Sequence, residues 1–521
     1  MINFEKRIFR KLQEPFLNQF MRMKNIACCS LLFLSMVLNA QRTYQKDAEL
    51  AGIKSLEKFI SFLALPNDGR EKGELEKNID WSRNELGALG FRTALLTTSS
   101  MPLVVADLVV DKQLPTVAFY LHLDGQAIDP SKWEQESPWK AVLKTQANGH
   151  WEAVSWEKAS GTDNKELRIF ARSSSDDKGP FIMLTTALQI LTAKDQSPAF
   201  NVKLILDFEE ESSSPGLPEA VGKYKEQLKA DLLLILDGPM HASGEPTLVF
   251  GNRGISALTL TTYGPATPQH SGHYGNYIPN PALRLTQILG SMKDSEGRVT
   301  IPGFYEGIVI DKATSAILNK TPNVEAAIQQ RTKIGSVDYV GRTYQESLQY
   351  PSLNIRGLKS GWVGKQTRTI IPATATAEID VRLVLESNPE KLIASIKKHI
   401  EAMGYTVLNT EPTDEQKREF KKIVKMTYKI SYPAFRTPVN SKGGKWLSKT
   451  LEEYYGSEPI KIRTSGGSVP ISPFVNQLGV PAIGLPTVNI DNNQHSPNEN
   501  LRLGNYFSGI ETFIFLLEQK F

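Results

Sequence analysis

Thr116-Val117-Ala118-Phe119-Tyr120-Leu121-His122-Leu123-Asp124-Gly125 is the stretch whose reading decides the fold of this chain. Its first six residues lack the polar alternation of a half-exposed strand, so the segment reads as a strand covered on both faces. The strand stops at a histidine and an aspartate. Two further runs repeat the design: Val202-Lys203-Leu204-Ile205-Leu206 stops at Asp207-Phe208-Glu209-Glu210-Glu211, and Leu232-Leu233-Leu234-Ile235-Leu236 stops at Asp237-Gly238. Helices are expected between them, over Pro180 to Leu191 with proline in the first turn, and around Leu217 to Leu228. This alternation predicts an α/β fold, a mainly parallel mixed sheet flanked by helices, which holds ligands beyond the carboxyl ends of its strands.

Upstream, helices are expected from Asp47 to Leu65 and from Leu75 to Leu89, then short strands over Thr93 to Thr97 and Leu103 to Val109. Pro130 to Arg168 reads as a long irregular segment. Its four tryptophans, Trp133, Trp139, Trp151 and Trp156, suit either a site-shaping loop or a packed surface hairpin. The pattern changes near Gly251-Asn252-Arg253-Gly254. Strands over Ile255 to Tyr263, Ala373 to Val384 and Tyr405 to Leu408, with helices over Asn280 to Lys293 and Pro389 to Met403, predict a smaller antiparallel α+β unit inserted into the first. After about Ala434 the α/β style returns, with helices over Lys445 to Tyr455 and Tyr506 to Lys520 and a strand near Pro481 to Leu485.

At the N-terminus, Met21-Arg22-Met23-Lys24 precedes an apolar run from Ile26 to Leu38, then Asn39-Ala40. A basic start, a brief apolar core and a small residue predict a signal peptide at about 21–40, cleaved after Ala40, and a secreted or periplasmic protein without a membrane span; an uncleaved anchor is the alternative. Both cysteines, Cys28 and Cys29, fall in this leader, so the mature chain is expected to have neither disulfides nor thiolate-held zinc. The first 40 residues carry six basic and two acidic side chains, so their loss takes the formal charge from +4 to about zero. The basic balance therefore gives no support for a nucleic-acid partner.

Five segments end in metal-competent side chains: His122, Asp176 in Arg172-Ser173-Ser174-Ser175-Asp176-Asp177-Lys178-Gly179-Pro180, Glu210-Glu211, Asp237, and His495 in Gln494-His495-Ser496-Pro497-Asn498-Glu499. A lone strand-end histidine or aspartate is more often a cap. Two imidazoles with three carboxylates, however, form an N/O ligand set suited to Zn2+, or to Mn2+ or Co2+.

Read in order, these motifs resemble those of the co-catalytic dinuclear zinc peptidases and deacylases. That family includes carnosinase-like dipeptidases, glutamate carboxypeptidase, aminoacylase, acetylornithine deacetylase and succinyl-diaminopimelate desuccinylase; the similarity spans nearly the whole mature chain. The resemblance implies two divalent metal ions, one held by His122, Asp176 and Asp237, the other by Asp176, Glu211 and His495, with Asp176 shared. It implies that Asp124 fixes the tautomer of His122 and that Glu210 is the general base for a bridging water, a one-residue shift within Glu209-Glu210-Glu211 being the competing assignment. In His270-Ser271-Gly272-His273, His270 would serve the active site of a partner subunit as an oxyanion donor, a plain turn cap being the bland reading. Arg382 would bind a substrate carboxylate, aided by the amides of Gly466-Gly467-Ser468. A strand-surface salt bridge is the bland reading of Arg382, and a plain loop that of Gly466-Gly467-Ser468. The implied organisation is a signal peptide over 1–40, a catalytic domain in two parts over 44–254 and 435–521, and a lid or dimerisation domain over 255–434.

Two departures from the family pattern stand out. Gly125-Gln126-Ala127 replaces the apolar pair and proline of many relatives, which is expected to reshape the pocket mouth, and Ser213 stands where glycine is usual. The expected activity is hydrolysis of dipeptides or short peptides by a homodimer. Cleavage of N-acyl amino acids by the same site is the second enzymatic reading, and a non-catalytic binding module on the same fold is the third.

Overall fold

The three apolar runs lie side by side in the computed structural model, which describes residues 43–521. The expected leader lies outside those residues. Thr116–His122 pairs in parallel with Asn201–Asp207, placing His122 opposite Asp207, and on its other side with Leu232–Ile235, placing Tyr120 opposite Ile235. These strands are almost wholly buried, which is why their sequences lack polar alternation. The complete sheet runs Arg92–Leu96, Leu103–Leu108, Asn201–Asp207, Thr116–His122, Leu232–Ile235, Ala482–Gly484, Thr247–Val249, Ile460–Ile462. Its centre is parallel, and the Arg92–Leu96 and Leu103–Leu108 hairpin makes one edge antiparallel.

Helices cover both faces. Lys178–Ala193 and Leu503–Glu518 are apolar nearly all round and nearly all buried, as expected of helices enclosed between a sheet and further helices. The first of these begins two residues earlier than the sequence predicts. Pro180 still sits in its first turn, where a missing N–H costs nothing. Fully buried Lys178 explains the early start: its Nζ donates to the carbonyls of Phe62 (2.9 Å) and Leu65 (2.7 Å), closing the end of the helix over 43–63. Burial holds the Lys178 amine well below its ordinary range. The helix expected over 217–228 is broken at Tyr224 into Leu217–Lys223 and Lys225–Leu228, with the Tyr224 hydroxyl hydrogen-bonded to Thr97.

The second sheet runs Ser352–Lys359, Thr374–Leu383, Gly254–Tyr263, Ile423–Tyr432, Thr406–Leu408, antiparallel except for its last pair. Thr374–Leu383 alternates buried and half-exposed residues. Its buried face is filled by Leu285 and Ile288 from the helix Pro281–Ser291 and by Leu392 and Ile396 from Pro389–Ala402. Part of the tryptophan-rich segment is a hairpin, one of the two forms expected of it. Val142–Ala147 and His150–Ala153 form a hairpin around Asn148-Gly149, both at positive φ, the dipeptide favoured in two-residue turns. That hairpin pairs with Arg168–Phe170, which in turn pairs with Asn500–Arg502. Two loops far apart in sequence, 171–177 and 491–499, are thereby brought alongside one another. No helix among the described residues is long and apolar enough to cross a membrane.

Gly179 seats the start of its helix against the preceding turn, since a Cβ there would collide with the Ser174 carbonyl and lie 2.9 Å from Leu501. Gly179→Ala should cost about 1–3 kcal/mol, seen as a lower urea midpoint with an unchanged slope.

Candidate metal centre

His122 ends its strand with the ring buried. Its Nε2 lies 2.8 Å from Asp176 Oδ1 and 4.0 Å from Asp237 Oδ1, and its Nδ1 lies 3.4 Å from Asp124 Oδ1. Asp124 does more than face His122. Its two oxygens accept from the backbone amides of Glu210 (3.2 Å) and Glu211 (3.1 Å), tying the ends of two adjacent strands together. The Glu210–Ser212 turn is fixed from behind as well. Asp207 accepts from the Tyr120 hydroxyl, from Ser214 and from the Glu209 amide, while Glu209 accepts from Ser100 and points away. Glu211 is the member of the acidic triplet that reaches His495, with Oε2 3.3 Å from its Nε2.

The Arg172–Asp176 turn is wrapped around the buried carboxylate of Glu499. One oxygen accepts from Arg172 Nη1 (2.7 Å) and the Ser173 amide (2.9 Å); the other accepts from the Ser175 amide and hydroxyl (3.0 Å each) and the Asp176 amide (3.1 Å). Arg172 also lies over Trp133. Because Glu499 is four residues from His495, this one carboxylate brings Asp176 and His495 together: His495 Nε2 is 3.2 Å from Asp176 Oδ2. The two oxygens of Asp176 therefore face different imidazoles.

Two groups of side chains result, His122 with Asp176 and Asp237, and Asp176 with Glu211 and His495, the ligand atoms of each lying within 4.8 Å of one another. The electrostatics match a cation site. Burial, reinforced by the charge of Asp176, pushes Asp237 up to about 6 and Glu211 up to about 7. Burial likewise holds Glu210 well above the usual carboxylate range, with Asp237 and Glu211 adding to it. Burial acts to raise Asp176 too, but His122 and His495 outweigh it and hold that carboxyl low. The hydrogen bond to Asp176 lifts His495 to about 9. Packed carboxylates that take up protons to relieve repulsion, with nitrogen ligands on either side, are a donor set that a pair of divalent cations fits.

Arg382 and Ser468 meet where the two sheets adjoin, Arg382 Nη1 donating to Ser468 Oγ at 2.7 Å. A weaker ion pair joins Arg382 to Asp380 on its own strand. Gly466 and Gly467 present carbonyls to Arg253, the latter accepting from the Arg253 amide at 3.1 Å. Burial, with Arg382 nearby, lowers the Arg253 guanidinium to about 10. Burial and the charge of Glu210 raise the Tyr432 hydroxyl, while Arg382 lowers it. His270 is not brought to this centre. It lies exposed in its own turn, accepting from the Gly272 amide and packed on His273. Sequence reading gave no role to Arg253, Tyr432, Asp207 or Glu499, although Asp207 stands at a strand stop and Glu499 lies in the His495 motif.

Both departures have a physical account. Gly125 is packed inward, where a Cβ would lie 2.6 Å from Ser173 Oγ and 3.2 Å from Asn67 Oδ1. Ser213 adopts φ 71°, ψ 27°, a left-handed conformation that explains a preference for glycine there.

Residues 118–519 match the family described as Peptidase family M20/M25/M40. The chain belongs to that family. Among relatives, it is 26% identical over 426 residues to the Beta-Ala-His dipeptidase of Mus musculus, covering 80% of each chain. It is 27% identical over 444 residues to the Cys-Gly metallodipeptidase DUG1 of Saccharomyces cerevisiae, covering 82% of this chain and 85% of that one. Among solved structures, an M20 family metallo-carboxypeptidase, Sso-CP2 from Sulfolobus solfataricus, superposes with a TM-score of 0.74 at 27% identity, over 89% of this chain and 98% of that one. Human carnosine dipeptidase 1 superposes with a TM-score of 0.70 at 22% identity, over 92% and 99%, a likeness of fold. The family assignment makes the chain a metallopeptidase-type hydrolase with the mixed α/β fold expected from sequence. The expected secreted or periplasmic location does not stand: the yeast Cys-Gly metallodipeptidases to which the chain is similar are cytosolic enzymes. A basic start followed by an apolar run is a compositional pattern, and composition alone does not make a segment an export signal.

Glu499→Ala leaves Arg172 buried without its partner and should cost about 3–5 kcal/mol. Thermal unfolding checks the loss, and the same variant should release metal more readily than wild type under dialysis against a chelator.

Proposed function

We propose that this chain is a dinuclear metallodipeptidase, holding two divalent ions, Zn2+ first and Mn2+ or Co2+ as alternatives, through His122, Asp176 and Asp237 and through Asp176, Glu211 and His495. The observation that carries the reading is Asp176, whose Oδ1 lies 2.8 Å from His122 Nε2 and whose Oδ2 lies 3.2 Å from His495 Nε2. A carboxylate so placed serves two ions at once. When bound, such a pair polarises a carbonyl and acidifies water.

The chain's own groups supply the rest. Glu210, half-buried just past the end of its strand beside Glu211, takes a proton from the attacking water and returns it to the leaving amine. Asp124 holds His122 and the Glu210–Glu211 backbone in one geometry. Arg382 and Ser468, already hydrogen-bonded, receive the substrate carboxylate together with the loop at Gly466 and Gly467. A dipeptide presents that carboxylate one residue from its scissile bond. The dipeptidase names of the relatives favour this substrate class over N-acyl amino acids.

His270 acts in this reading from a second subunit, donating to the oxyanion. Its exposed position supports that role, as does the apolar surface of the same unit, where Tyr277, Leu283, Leu358 and Val363 are largely exposed. The chain is accordingly divided into a catalytic domain over 44–254 and 435–521 and a lid or dimerisation domain over 255–434, assembled as a homodimer.

The direct test is a panel of dipeptides and N-acyl amino acids, with metals counted on the same sample. Turnover of dipeptides by protein with two ions per chain is expected. Protein with two ions that cleaves only acyl amino acids would move the assignment to a deacylase, and protein that cleaves neither would make it a binding module. Glu210→Gln should lower kcat by about 10²–10⁴-fold with both ions retained; loss of metal instead would reverse the roles of Glu210 and Glu211. His270→Ala should lower kcat by about 10²–10³-fold with KM little changed, and mixing it with Glu210→Gln should restore part of the activity through hybrid dimers.

A further inference from the structure

We propose that Gln126 is a positioning residue for the Glu211 carboxylate, and that it thereby sets how tightly the ion on the His495 side is held; the inference rests on the dinuclear reading above. Gln126 Nε2 donates to Glu211 Oε2 at 2.7 Å, and that same oxygen lies 3.3 Å from His495 Nε2. The amide therefore grips the oxygen that faces the second triad.

The grip has a fixed base. The Gly125 amide donates to the Asn67 carbonyl at 2.7 Å and the Gly125 carbonyl accepts from the Gly69 amide at 3.0 Å, so the backbone is pinned on both sides just before Gln126. Glycine at 125 is what permits this packing, because any Cβ would meet Ser173 and Asn67. Glu211 is then held twice, its backbone amide by Asp124 and its carboxylate by Gln126. The orientation of the Gln126 amide follows from chemistry, since an ionised carboxylate only accepts. A neutral donor also suits the task. It restrains the carboxylate without neutralising it, whereas a lysine would compete with a cation for the same charge.

The second triad has greater need of such restraint than the first. The His122 side chain is 1% exposed, whereas that of His495 is 58% exposed and the residue sits at φ 58°. Around the outer ion, packing contributes less and the hydrogen bond to Glu211 correspondingly more.

The test is Zn2+ binding to metal-free protein in competition with a chelator of known affinity, for wild type, Gln126→Ala and Gln126→Met. The methionine variant keeps the length of the side chain and loses the donor. Both variants should hold one ion as wild type does and the other about 10–100-fold more weakly, with unchanged melting of the metal-free protein because Gln126 is only half-buried. Wild-type affinity for both ions in both variants would overturn the inference, and so would weakening in Gln126→Ala alone, which would assign the effect to bulk. Wild-type protein that takes up fewer than two Zn2+ would instead refute the dinuclear reading on which the inference stands.

Discussion

The carboxylate of Glu499 is the constraint on which the centre depends. Buried and paired with Arg172, it accepts from the amides of Ser173, Ser175 and Asp176, so a whole turn is folded around one acid supplied from more than 300 residues away. Backbone amides of a tight turn have few ways to be satisfied away from water. Here they are satisfied by a group that belongs to the His495 loop, and the ligands of one strand layer are thereby joined to those of the chain's last segment. The pairing of Arg168–Phe170 with Asn500–Arg502 carries the same junction into the backbone.

Around that junction the parallel strands do what such strands do, ending together at one edge. His122, the Glu209–Glu211 turn and Asp237 all follow strand ends, and Asp124 crosses between two of them. The convergence is electrostatically costly, because two carboxylates about 4 Å apart repel by roughly 4 kcal/mol at an effective dielectric near 20. In the polypeptide alone, burial and the charge of Asp176 push Asp237 and Glu211 up, and the two imidazoles offset part of that rise. Doubly charged cations relieve it more fully. Stability at this edge and the capacity to bind metal are thus two expressions of one charge distribution.

Much of this was legible in the sequence. Unalternating runs marked the central strands, and their polar stops marked the edge where ligands gather; Thr374–Leu383 showed the opposite, alternating pattern of a sheet with one covered face. A packed surface hairpin was one of the two forms open to the tryptophan-rich segment, and the Asn148-Gly149 dipeptide marks its turn. Other features had no local signal. The helix break at Tyr224 has no sequence signal, and Gly125 is small because Asn67 and Ser173 press on it, residues that lie far off in sequence. Ser213 falls between these cases, a left-handed residue whose conformation follows from the turn and not from its own preference.

What the sequence by itself determined was the inventory: the α/β layering, the chemical types of the candidate ligands, and the order in which strand ends present them. Periodicity and residue chemistry are local properties, so one chain suffices to read them. Only the tertiary structure decided that Glu211 rather than Glu209 or Glu210 faces His495, that the two oxygens of Asp176 address different imidazoles, and that Gln126 and Glu499 stand behind them. Those are matters of direction and of distances near 3 Å between residues up to several hundred positions apart. Such distances are set by how sheets, helices and buried charges pack together, and no window of sequence contains them.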